Sequence, residues 1–113
     1  MDEEFWKLLD KLVAESEIVI DRPKGTYHPK HPNMFYALDY GYLSGTSSMD
    51  GEGIDVWLGS DKNKQVDAII CFADYGNKDC EIKLLIGCTE EEKQIAYKTH
   101  NQYDSMKGIL IRR

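Results

Sequence analysis

The 113 residues, 42% hydrophobic and 30% charged, suffice for one domain with one core, so a single site is expected. A formal net charge of −6 argues against nucleic acid, whose phosphates need a basic footprint, and no apolar run approaches a membrane span in length. The acidic start is unlike a secretory signal. Cys71, Cys80 and Cys88, odd in number and without zinc-site spacing, read as small buried hydrophobes of a reducing cytoplasm.

Phe5, Leu8, Leu9 and Leu12 recur at helical spacing behind Asp2, Glu3 and Glu4, so residues 2–15 are predicted to form an amphipathic helix packed on a sheet. Ile18-Val19-Ile20 reads as a short strand stopped by Arg22-Pro23-Lys24-Gly25, and residues 25–34, with His28, Pro29, His31 and Pro32, as an irregular loop with exposed histidines. Tyr36 to Leu43 and Ile54 to Leu58 are expected strands, the second buried and followed by a turn over 59–64. Val66 to Phe72 and Cys80 to Ile86 form the arms of a hairpin. Thr89-Glu90-Glu91-Glu92 is a capping-box pattern that starts a helix ending near Thr99, and Met106 to Ile111 is a final strand. Trp6 and Trp57 are expected in the core or at its edge. Without regular βαβ alternation, this order predicts an antiparallel α+β domain or a small barrel with helices against it.

Chemistry concentrates between Asp39 and Trp57. Asp50, Glu52 and Asp55 place three carboxylates within six residues on a glycine-hinged turn between strands, the oxygen-rich surroundings that suit a hard cation such as Mg²⁺. Further along, Asp79, Glu81 and Lys83 alternate in a strand and therefore share one face, either a charged solvent face or part of a site.

The run from Phe35 to Val56 resembles the signature of soluble inorganic pyrophosphatases, a Tyr-Pro-x-Asn-Tyr-Gly-Phe/Tyr stretch followed by Asp-Gly-Asp-Pro-x-Asp-Val. The resemblance implies a small antiparallel β-barrel with flanking N-terminal and C-terminal helices over residues 1–113. It implies Tyr40 as a phosphate contact, Asp50 and Asp55 as metal ligands, and Glu52 at the position of the acid that activates water. Glu52 is one methylene longer than the family's aspartate, and Gly53 and Ala37 stand where prolines are usual. Ile18 to Gly25 is similar to the strand ending in Glu-Ile-Pro-Lys-Gly, so that Asp21 stands for an active-site acid and Lys24 for a phosphate cation; the alternative for Asp21 is a plain turn residue. Phe72-Ala73-Asp74 with Asp79 to Leu84 resembles the hairpin that carries two metal-binding acids and a substrate lysine. Asp74 is the first acid, Glu81 or Asp79 the second, and Lys83 the lysine.

The implied activity is hydrolysis of pyrophosphate by a water activated by Mg²⁺, with Mn²⁺ as a substitute. The metal would be held by Asp50, Asp55, Asp74, Glu81 and Asp21, with Lys83, Tyr40 and Lys24 on the phosphates. The family's Lys-Tyr-Glu strand and arginine have no room between residues 26 and 34, and only Tyr97-Lys98, on a predicted helix, echoes its C-terminal pair. Two alternatives follow: a non-catalytic binding or oligomerisation module on the same scaffold, and a hydrolase of a larger diphosphate. Arg112-Arg113 reads as a solvated end or as a contact for a neighbouring subunit, which leaves a homo-oligomer open.

Overall fold

The computed structural model describes residues 2–113. In chain order the elements are α1 (Glu3–Ala14), β1 (Ile18–Arg22), β2 (Thr26–Tyr27), β3 (Phe35–Tyr36), β4 (Asp39–Leu43), β5 (Ile54–Leu58), β6 (Val66–Asp74), β7 (Asp79–Ile86), α2 (Glu90–Thr99) and β8 (Met106–Arg112). Six strands pair in the order β1-β4-β5-β7-β6-β8, and β2 with β3 makes a separate two-stranded ribbon. The architecture is thus α+β with a mostly antiparallel sheet; among the described residues no ladder joins β1 to β8.

Three local features differ from the sequence-based expectation. The predicted strand from Tyr36 to Leu43 is broken at Ala37-Leu38 into β3 and β4, and β3 takes β2 out of the expected loop as its partner, with Thr26 opposite Tyr36. One pair is parallel: the β6–β7 hairpin is inserted with β7 against β5, Val56 opposite Leu84. Its run Leu84-Leu85-Ile86 is buried throughout, as a strand covered on both faces requires. Cys80 is exposed and Cys71 half-buried, so only Cys88 is the buried thiol that all three were expected to be, pushed up to about 12 by burial.

The two faces of the sheet carry separate clusters. On one, Trp6 and Val13 of α1 pack with Leu43, Val56, Ile69 and Leu84; on the other, Ala96 of α2 packs with Trp57, Ile70, Phe72 and Leu85. The inward side of α1 is not the expected one: Phe5, Leu8 and Leu12 remain 46%, 64% and 40% exposed. Asp10 decides the rotation. Its carboxylate accepts from the Val66 amide at 3.0 Å and from Arg113 at 2.8 Å, which turns the stripe Trp6, Asp10, Val13 to the sheet.

A glycine sets the approach of β1 to β4. A Cβ on Gly41 would lie 1.8 Å from the Val19 carbonyl oxygen, so no side chain fits where these strands meet. One residue on, the register slips between Ile20 and Arg22, a bulge that leaves Asp21 and Arg22 at the mouth of a cavity.

Candidate functional site

The cavity has a volume of about 660 Å³. Its centre is Lys83. The strand alternation of β7 places Glu81 and Lys83 on one face, and both are buried, at 5% and 6% exposure. The parallel pairing of β5 with β7 brings Asp55 alongside. The Lys83 ammonium donates to Asp55 Oδ2 at 2.6 Å and to Glu81 Oε2 at 3.2 Å, and lies 5.4 Å from the centre of the Tyr40 ring.

Burial alone would lower the Lys83 ammonium, but the pull of the Tyr40 oxygen and the Asp55 carboxylate outweighs it, and the group is held above its ordinary value. Burial also raises the Glu81 carboxyl, against the opposing Lys83, and raises the Tyr40 phenol. Oε1 of Glu81 is buried without a partner. Such an oxygen remains available to a cation or a donor that enters the cavity.

The other predicted residues are dispersed around this centre. Glu52, Asp74, Asp79 and Asp21 line the cavity with Asp55, whereas Asp50 and Lys24 are outside the lining. Asp50 closes its own turn, Oδ1 accepting from the Glu52 amide at 2.9 Å, and this bond holds its carboxyl below the usual value. Asp74 caps the hairpin by accepting from the Asn77 amide and side chain at 3.2 and 2.8 Å; Asp79 accepts from the Cys80 amide at 2.8 Å. The Lys24 amide donates to Asp39 at 2.8 Å. Gly53 has a steric reason: a Cβ there would meet the Leu43 carbonyl oxygen and the Tyr42 ring at 2.9 Å. Tyr97 and Lys98 lie on α2, outside the lining.

The donor set is entirely oxygen in character, as a hard cation prefers. It is not preassembled, because among the described residues no three His, Cys, Asp or Glu side chains converge to hold a metal ion. Asp55 and Glu81 are brought together by their shared contact with Lys83, whose ammonium lies between them.

Residues outside the implied metal and phosphate set also face the cavity. His28 and His31, read as exposed loop residues, both line it, with rings 4.7 Å apart, and Arg22 and Tyr36 join them. His100 forms a buried wall: the Trp57 indole donates to its Nε2 at 3.0 Å, and its ring stacks on Phe72 at 5.0 Å. Burial lowers it to about 3. Two histidines spaced by three were visible in the sequence; nothing there linked His100 to Trp57.

No family model matches the chain, and no curated protein does. Among solved structures, an inorganic phosphatase from Anaplasma phagocytophilum aligns with a TM-score of 0.51 and 11% identity, covering 84% of this chain and 81% of that one. At that identity the likeness is one of fold. It supports a mixed α+β fold compatible with that of the pyrophosphatases. No helix is long and apolar enough to cross a membrane.

Proposed function

We propose that the chain hydrolyses a small diphosphate, pyrophosphate first, taken up as its Mg²⁺ complex. The observation that carries this reading is the charge of the cavity: six carboxylates (Asp21, Glu52, Asp55, Asp74, Asp79, Glu81) against the two permanent cations Arg22 and Lys83. A free diphosphate meets net repulsion at Lys83, where Asp55 and Glu81 already engage the ammonium. A diphosphate neutralised by divalent cations does not. When bound, Mg²⁺ would shield the phosphate oxygens and acidify a water, with Asp55 and Glu81, which share the contact with Lys83, as its protein oxygens.

The chain's own groups have definable parts. Lys83 and the Tyr40 hydroxyl, which burial keeps protonated, offer donors to phosphate oxygens. Glu52, exposed at the rim, accepts the proton of the attacking water as the bridging P–O bond breaks and two phosphates form.

Phosphate release from pyrophosphate with Mg²⁺ is expected to be at least about a hundredfold faster in the unmodified protein than in Asp55→Asn, given the loss of a carboxylate in the metal set. Equal rates would overturn hydrolysis. One observation favours a second reading: the Lys83 ammonium itself bridges Asp55 and Glu81 and can serve as a built-in cation in a non-catalytic binding module. That reading predicts calorimetric binding of a non-hydrolysable diphosphate without turnover of pyrophosphate.

A further inference from the structure

Away from Lys83 the cavity carries donors that the proposed hydrolysis does not use. The β1 bulge brings Arg22 opposite Tyr40 and into the lining. Its Nη1 donates to the Asp21 carbonyl at 3.2 Å and stands 3.7 Å from the Asp21 carboxylate, while Nε is buried and has no partner. His28 and His31 lie beside it, the His28 ring stacked 6.4 Å from that of Tyr36. Because the Lys30 amide donates to His28 Nδ1 at 3.0 Å, the neutral imidazole carries its proton on Nε2 and presents it as a donor.

Burial first, then the neighbouring His31, Arg22 and Lys30, hold His28 below its ordinary value, which favours its neutral, Nε2–H form. Tyr36 and Tyr40, with rings 5.5 Å apart, lie between these groups and Lys83. Asp21 is the one carboxylate in contact with the guanidinium, and it is half-exposed at 46%.

We infer that Arg22, His28 and His31 form a binding site for a tetrahedral oxyanion of the phosphate class, occupied without a divalent metal. The guanidinium supplies a planar fork, and the two imidazoles add donors from a second direction; a tetrahedral anion has oxygens for both, whereas a carboxylate satisfies only the fork. Lys83 differs in kind, since two of its three N–H donors are held by the Asp55 and Glu81 carboxylates, which repel a free anion. The site does not depend on diphosphate hydrolysis and stands if that activity is absent.

The test is titration with inorganic phosphate in chelator-treated, Mg²⁺-free buffer, followed by NMR of the histidine rings and the arginine Nε–H. Saturable shifts are expected at His28, His31 and Arg22. Affinity should fall about tenfold or more in Arg22→Lys, which keeps the charge and loses the fork, and stay within about twofold in Asp55→Asn. Acetate should bind at least about tenfold more weakly. His28→Asn, in the loop between β2 and β3, gives a second variant should a change at Arg22 disturb β1. Shifts centred on Tyr40 and Lys83, dependence on Mg²⁺, equal binding of acetate, or no saturation would each overturn the assignment.

Discussion

His100 shows how a single side chain couples this fold to pH. The indole of Trp57 can only donate, so His100 Nε2 must accept, and the ring is locked in its neutral form inside the cavity wall. Its lowering to about 3 by burial sets the sign. Between the unfolded value of about 6.5 and the folded value near 3, the unfolded chain binds a proton that the folded one refuses, so stability rises with pH across that window. The contribution is present above about pH 6.5 and is lost as pH falls, at about 1.4 kcal/mol per unit. Urea unfolding between pH 7 and 4 should show a steeper loss in the unmodified protein than in His100→Gln, which retains an acceptor for Trp57 and cannot titrate. Identical pH profiles would refute the assignment. Arg22 makes a related point about legibility: it sits beside a recognisable Pro-Lys-Gly turn, but only the bulge after Ile20 puts it in the cavity, and a bulge leaves no mark on hydrophobic period.

At the scale of elements, α2 is the one most plainly written in the sequence. Thr89 and Glu92 form the anticipated capping box, the Glu92 amide donating to Thr89 Oγ1 at 3.2 Å and the Thr89 amide to Glu92 Oε1 at 2.9 Å. Glu92 does more than cap. It also accepts from the amide and hydroxyl of Ser60, tying the end of β5 to the helix, and these donors hold its carboxyl below the usual value despite burial. Thr89→Ala should therefore cost about 1 kcal/mol, the usual worth of such a cap, and Glu92→Ala distinctly more. Denaturant midpoints that rank the two variants in the opposite order would show that Ser60 is not held through Glu92. The face of α1 was less legible because two stripes overlap along it, Phe5-Leu8-Leu9-Leu12 and Trp6-Leu9-Val13. The choice between them is made by Asp10 reaching Val66 and Arg113, partners more than fifty residues away. The edge strand β8 carries a similar long-range device: the Asn101 side chain accepts from the Gly108 amide and donates to its carbonyl, covering backbone groups that an exposed edge would offer to another chain.

For the whole molecule, alternation within a strand was enough to put Glu81 and Lys83 on one face, and the Tyr40 to Asp55 spacing was enough to place both on neighbouring strands. It was not enough to show that Asp55 meets Lys83, because that contact depends on the parallel seating of β7 against β5. The completed cavity is consequently bipolar, with carboxylates gathered round a buried ammonium and a separate group of Arg22, His28 and His31 beyond Tyr36. This arrangement predicts cooperativity between metal and anion. Diphosphate alone can reach the basic group but meets unshielded carboxylates near Lys83, and Mg²⁺ alone finds no preassembled set of three ligands among the described residues. Together each supplies the charge that the other lacks. Since a ligand stabilises the fold by mass action, the effect reads directly as a shift in melting temperature, about 2.7 kcal/mol at a hundredfold excess over the dissociation constant. Mg²⁺ with a non-hydrolysable diphosphate should raise the midpoint by more than the sum of the two separate shifts, and Asp55→Asn should reduce the result to that sum. A purely additive response in the unmodified protein would mean that metal and diphosphate do not meet in this cavity.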